Sequence, residues 1–502
     1  MIMKSLKKLH EWANKHEWLI LLLLSVLILR IPSLFMPHYY GDEEIYFVMG
    51  RAWREGVPLY QAMFDHKPPL IYILAGLFPS MFSFRVMLLL MMGLHTWVFW
   101  ELAKKFWQEL ARPKLAYLSS LIFVILTTLP TLEGLTVNAE LLMMLPVTTA
   151  ILLLWGRENV KVTHTVRYLL AGLLMGVGWL YKIPVVADAA AAGLFFIVYQ
   201  GKNLRESVRR IWTLPTLLYA VGFVTPLLLT FVYYFLKGDG SAYLDTVLTM
   251  NLGYVSSWST STYSFNPFRS GLVVRGLILL VVALALYVWR RKLGRGLVFS
   301  TLWLGFGLFG ALLSGRPYPH YLQQPVVPFS LWLPFIFVNE RVLSWIFWGG
   351  MGAIMMLMQQ QIKFWGYPTV SVYKNYWQYA SGQISEQEYY ERFDNTKRNY
   401  AIGQYLKERL HDDDEIFVWG SDPTIYNLTN RLPTGGKYIV SFHVRDLDKY
   451  DYVMQNLKRN KPKYVVWLAG ATEFEEMQRW LDETYMEVQI IEGSTIYRRN
   501  LE

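Results

Sequence analysis

Residues 18–35 read Trp-Leu-Ile-Leu-Leu-Leu-Leu-Ser-Val-Leu-Ile-Leu-Arg-Ile-Pro-Ser-Leu-Phe, an apolar run interrupted only near its far end by Arg30 and Pro32. At about 1.5 Å per helical residue, such a run reaches across most of the roughly 30 Å hydrocarbon core of a bilayer. A basic, amphipathic stretch, Met1 to Lys15, leads into it and no small-residue cleavage site follows. The reading is therefore an uncleaved first transmembrane helix rather than a signal peptide. Further apolar runs lie near 85–103, 115–132, 139–155, 168–181, 184–199, 213–236, 271–289, 297–314, 321–338 and 342–360. With the first, they predict a polytopic α-helical membrane protein of about eleven spans. The fifth and sixth form a hairpin broken at Tyr181-Lys182-Ile183-Pro184.

Composition agrees. The 502 residues are 54% hydrophobic and only 17% charged, against about a quarter charged in soluble domains. The net charge is +10 with His neutral, and its distribution argues against nucleic acid. Residues 1–360 hold 30 Lys and Arg against 17 Asp and Glu, whereas 361–502 hold 18 against 21. With the N-terminus cytoplasmic, the inward loops collect 20 of those 30 basic residues, among them Lys104, Lys105, Arg209, Arg210, Arg290 and Arg291. That bias orients the chain, leaving 37–84, 133–138, Lys182, 237–270, 315–320 and everything after 360 outside. Localisation is thus a multi-pass cell (inner or plasma) membrane protein. Pro69 to Phe84 is apolar but short, has Pro79 inside it, and suits an interfacial or re-entrant helix better than a span. There is no cysteine, which excludes disulfides and thiolate chemistry.

The domain reading follows: 1–360 transmembrane, including loop one at 37–84; 361–398 an aromatic segment at the membrane surface; 399–502 a soluble extracytoplasmic α/β domain. In the last, 415–419, 437–441, 464–468 and 486–491 read as strands, and 423–428, 446–459 and 473–483 as helices.

Charged residues concentrate in loop one: Gly41-Asp42-Glu43-Glu44 and Asp65-His66-Lys67-Pro68-Pro69. Adjacent acids can simply charge the first turn of a helix, and Lys67 can be an interfacial anchor. A carboxylate at the lipid boundary can equally serve as a base. The double proline fixes the chain direction just after three polar side chains. The second outward turn carries Asn138 and Glu140, Lys182 sits in the tight turn between spans five and six, and Arg316, His320 and Tyr321 occupy another short turn. Asn138 as a helix cap is the plain alternative there. Together these cations and carboxylates suit a phosphate-bearing lipid substrate.

The order of an Asp-Glu pair after the first span, Lys-Pro-Pro in the same loop, Arg85 opening the next helix and Asn-Ala-Glu further on resembles the bacterial protein O-mannosyltransferase branch of the GT-C glycosyltransferases, glycosyltransferase family 39, which includes the lipid A aminoarabinose transferases. The Gly-Arg-Pro-Tyr-Pro-His-Tyr turn is similar too. The resemblance implies an enzyme of GT-C fold that transfers a sugar from a polyprenyl-phosphate donor to an acceptor hydroxyl on a glycan, lipid or protein, at the extracytoplasmic face, with inversion. It implies Asp42, backed by Glu43, as the catalytic carboxylate. It implies Lys67 at the donor phosphate, with His66, Lys182, Arg316, His320 and Tyr321 as further phosphate-site candidates. Asp65, Asn138 and Glu140 would support the acceptor or donor. The aminoarabinose enzymes have a Glu where this chain has His66; Glu43, His66 and Glu140 are the candidates here for a divalent metal ion, and no other cofactor is implied. A lipid flippase or transporter is the rival class, and an oligosaccharyltransferase-like enzyme the nearer one. Transporters usually carry internal repeats, and no matching halves are found here.

Overall fold

The computed structural model describes residues 16–156, 164–251, 271–314, 316, 318–338, 349, 352 and 368–500. In chain order the helices used below are α1 (Glu17–Arg30), α2 (Gly41–Arg54), α3 (Leu70–Leu77), α4 (Met81–Glu109), α5 (Leu115–Thr128), α6 (Ala139–Trp155), α7 (His164–Trp179), α8 (Val185–Phe196), α9 (Leu214–Lys237), α10 (Gly271–Leu293), α11 (Arg295–Ala311), α12 (Gln323–Trp332), α13 (Ser441–Asp446) and α14 (Tyr450–Asn460).

Among the described residues, four segments are long and apolar enough to cross a membrane: Glu17–Phe35, α4, α9 and α10. Helices α5, α6, α7, α8 and α11 are apolar but shorter. The predicted span at 321–338 is an α-helix between two 3-10 segments, Pro319–Leu322 and Leu333–Phe337, with Pro319 and Pro334, which lack an amide donor, at the starts of those segments. The span predicted at 342–360 falls outside the described residues apart from 349 and 352, as does the stretch Met1 to Lys15. The apolar 69–84 segment becomes the eight-residue α3, about 12 Å long, and a break before α4 begins at Met81. It is too short to span.

The chain divides into two compact units. The first comprises 1–31, 86–230 and 251–369, and its described residues form helices joined by turns, with no strand among them. Here α7 and α9 approach so closely that a Cβ on Gly172 would lie 2.2 Å from Tyr219 O, and one on Gly222 2.3 Å from Leu169 O. Small residues at crossings are how helices pack without a hydrophobic drive in lipid. Polar contacts add to this: buried Asp188 on α8 accepts from Trp303 Nε1 (2.7 Å) on α11 and from Gln324 Nε2 (2.6 Å) on α12. Leu229, Val281 and Val288 on α9 and α10 are exposed, an apolar surface that suits lipid.

The second unit comprises 32–85, 231–250 and 370–502. Its sheet has the order β1-β2-β4-β3, from Ile416–Trp419, Tyr464–Trp467, Ser494–Arg499 and Tyr485–Ile491. β1 and β2 are parallel, while β4 is antiparallel to both β2 and β3. Glu492 and Gly493, at φ 48° and 74°, make the β3–β4 turn, as a two-residue hairpin of the tight primed type requires. The strand predicted at 437–441 is not part of this sheet: Tyr438 forms a single bridge, to Phe64 of loop one. Phe64 itself is 2% exposed and belongs to the core formed with Phe417, Trp419, Val444 and Met454. Loop one and the α/β domain are thereby one packed body.

Candidate active site

In the second unit, α2 and α3 cross at two glycines. A Cβ on Gly50 would lie 2.5 Å from Gly76 N, so no larger residue fits without parting the helices. That crossing sets the acidic start of α2 beside the segment leading into α3.

The three acids of the first α2 turn point about 100° apart, as helical geometry requires, and meet three different partners. Asp42 lies 3.6 Å from Lys67 Nζ and accepts from Tyr46 Oη (3.1 Å), one turn on. Its side chain is 27% exposed, whereas those of Glu43 and Glu44 are wholly buried. Glu43 receives a two-pronged contact from Arg85, Nη2 at 2.7 Å and Nε at 3.2 Å; Arg85 Nη1 also donates to Met36 O and Ser33 O. Glu44 accepts from His38 Nδ1 (2.9 Å) and from Asn427 Nδ2 (2.7 Å) of the α/β domain. Of these three carboxylates, Asp42 alone is accessible.

Lys67 is buried between Asp42 and Asp65 (3.4 Å), with Nζ 5.1 Å from the centre of the Tyr46 ring. Its backbone is held at both ends: Tyr60 Oη donates to Lys67 O (2.9 Å), and Lys67 N donates to Tyr72 Oη (3.1 Å). Tyr60 has a φ of 71°, a region bulky residues rarely occupy, and packs edge-on against Tyr234 and Tyr243. Tyr72 Oη in turn donates to Asp65 Oδ2 (2.7 Å). Burial pushes the Asp65 carboxyl up, yet Lys67 beside it and the hydrogen bonding from His66 hold it well below the usual carboxylate range. It is an anion.

Oδ1 of Asp65 faces two imidazoles, His66 Nδ1 at 3.0 Å and His443 Nε2 at 3.7 Å. One ligand atom from each of Asp65, His66 and His443 lies within 4.8 Å of the others, a spacing able to hold a metal ion. Burial takes the His443 imidazole down to about 3, so the ring is neutral, and neither of its nitrogens makes a hydrogen bond. The donor set, one carboxylate and two imidazoles, therefore fits a divalent transition-metal ion. This group includes His66 but neither Glu43 nor Glu140.

The first unit holds a separate cluster. Asn138 does not cap α6 with its side chain; Nδ2 donates to Glu133 O (2.9 Å) and Thr136 Oγ1 (3.0 Å), fixing the turn. Glu140 pairs with Lys182, whose Nζ lies 4.1 Å from the Tyr321 ring centre. His320 pairs through Nδ1 with Glu133, and its Nε2 is 4.0 Å from Glu140. Arg316 is buried, with its amide donating to Ser314 Oγ (3.3 Å).

Sequence reasoning did not single out Tyr46, Tyr60, Tyr72 or His443. Tyr46 carries a signal, its i+4 spacing from Asp42; His443 carries none, being a lone His in the remote α/β domain.

Residues 396–500 match the family model "Putative competence-induced protein Ccs4 C-terminal domain". No curated protein matches the sequence. Among solved structures, the archaeal oligosaccharyltransferase AglB from Archaeoglobus fulgidus, in complex with an inhibitory peptide and a dolichol-phosphate, is similar at 12% identity over 91% of this chain and 70% of that one, with a TM-score of 0.48. ArnT from Cupriavidus metallidurans, solved bound to undecaprenyl phosphate, is similar at 13% identity over 96% of this chain and 98% of that one, with a TM-score of 0.58. The chain thus has the GT-C fold seen in ArnT, helical and membrane-embedded, with a small C-terminal α/β domain.

Proposed function

We propose that this chain is an integral-membrane glycosyltransferase that moves a sugar from a polyprenyl-phosphate-linked donor to an acceptor hydroxyl at the extracytoplasmic face, with inversion. The observation that carries the reading is the Asp42–Lys67 pair at 3.6 Å, an accessible carboxylate against a buried ammonium in loop one of a GT-C fold.

In this reading Lys67 Nζ donates to a phosphate oxygen of the donor, and Asp42 accepts the proton of the acceptor hydroxyl. The acceptor oxygen bonds to the anomeric carbon from the face opposite the phosphate, the carbon–oxygen bond to phosphate breaks, and polyprenyl phosphate leaves. A phosphate is already an adequate leaving group, so the protein's task is to position both substrates and neutralise charge. Tyr46, Tyr60 and Tyr72 hold the two groups in register. A metal ion at Asp65, His66 and His443 would add positive charge beside the leaving phosphate.

The test is binding of polyprenyl phosphate to purified protein. Lys67→Ala is expected to weaken it roughly 10- to 100-fold, the value of a charge-assisted partner of about 1.5–3 kcal/mol. Unchanged binding in a folded Lys67→Ala protein would leave the lysine as an anchor only.

A further inference from the structure

We infer that Asp65, His66 and His443 form a transition-metal centre, of the Zn2+ class, in which the C-terminal α/β domain supplies a ligand to loop one.

Three observations converge. The ligand atoms are already gathered: Asp65 Oδ1 is 3.0 Å from His66 Nδ1 and 3.7 Å from His443 Nε2. Metal–ligand bonds of about 2.0–2.2 Å at tetrahedral angles place ligand atoms roughly 3.3–3.6 Å apart, within that range. Both carboxylate oxygens are held by outer donors, Oδ2 by Tyr72 Oη (2.7 Å) and Lys67 Nζ (3.4 Å) and Oδ1 by the His66 amide (2.9 Å), which fixes the orientation in which Oδ1 faces the imidazoles. Finally, His443 is buried with neither ring nitrogen hydrogen-bonded, and a buried polar group without a partner calls for an explanation. A hydrogen bond from the His66 ring would account for the 3.0 Å contact alone, but it leaves His443 unexplained.

Charge balance points the same way. Asp42 and Asp65 share one ammonium, Lys67, and a phosphodiester donor would add a third negative charge to that group. Two imidazoles and a carboxylate are a donor set suited to Zn2+ and its neighbours, and three protein ligands leave a coordination position open. The ligands come from two parts of the chain, Asp65 and His66 from loop one and His443 from α13.

The centre rests on the glycosyltransferase reading only for its use in catalysis, because metal binding is measured without substrate. Tag-free protein is loaded with zinc chloride, desalted, and its metal counted by mass spectrometry. About one Zn2+ per chain is expected, with His443→Gln and His66→Ala each weakening Zn2+ affinity by more than the roughly 10- to 100-fold that loss of an outer-shell partner costs. Zn2+ should also raise the unfolding temperature of the wild type and not of His443→Gln, since a metal bound only by the folded state stabilises it. As a check that needs no variant, Co2+ in the wild type should give the intense visible bands of a tetrahedral site. Wild-type protein without stoichiometric metal, Co2+ without those bands, or full metal content in a folded His443→Gln protein would each overturn the centre, whatever the transfer assay gives.

Discussion

Asp42, Glu43 and Glu44 are neighbours in sequence with three different fates. Glu43 is buried against Arg85, which is itself 1% exposed, so its truncation strands a guanidinium away from water. Glu43→Ala is expected to cost about 3–5 kcal/mol of stability, the usual cost of breaking a buried pair, seen as a large fall in unfolding temperature in detergent. A Glu43→Ala protein as stable as wild type that fails only in catalysis would return the residue to a direct chemical role. Asp42 was legible in the sequence because its partner, Lys67, lies in the same loop and a helix start beside a Pro-Pro segment constrains both. Glu43 was legible only as an acid, since its burial depends on Arg85 from the next helix. His443 was not legible at all: it joins Asp65 only once the α/β domain packs on Phe64.

At the level of elements, loop one is fastened to the α/β domain by specific contacts. Phe64 enters its core, Arg51 Nη2 donates to Asn430 Oδ1 (2.7 Å), and Glu44 joins His38 to Asn427. Burial lowers the His38 pKa, but Glu44 beside it more than compensates, so the net shift is upward from 6.5. A raised histidine pKa stabilises the fold fully below the unfolded value and ceases to do so as pH rises through the folded one. His38→Gln should therefore lower the unfolding temperature more at about pH 5.5 than at about pH 9; a deficit that is constant or grows with pH would contradict the pairing. The elements themselves were unevenly legible. β1, β2 and β3 announce themselves by β-branched and aromatic runs, whereas β4 reads Ser-Thr-Ile-Tyr-Arg-Arg and hides behind its polarity, although it sits between β2 and β3 in the sheet. The run 437–441 has strand composition but bridges to loop one, a partner that local pattern cannot name.

For the whole molecule, hydropathy conveyed a polytopic helical protein, and the GT-C fold bears that out; among the described residues four segments are long and apolar enough to cross a membrane and five apolar helices are shorter. At 321–338 the α-helix gives way to a 3-10 segment where Pro334 stands. Charge distribution adds an orientation, tested by fusing a reporter active only outside the cytoplasm after Glu502: signal is expected, and activity of a cytoplasm-only reporter there would reverse the topology. The central claim, that Asp42 activates the acceptor against a phosphate-linked sugar, is tested most directly by Asp42→Asn. Asparagine keeps the shape and suits a helix start about as well as aspartate, yet it cannot accept the proton. Sugar release from a polyprenyl-phosphate donor should fall roughly 10²- to 10⁴-fold, the range for loss of a general base, with folding unchanged by chromatography. A folded Asp42→Asn protein that keeps most of its turnover would contradict the claim and move the catalytic carboxylate elsewhere.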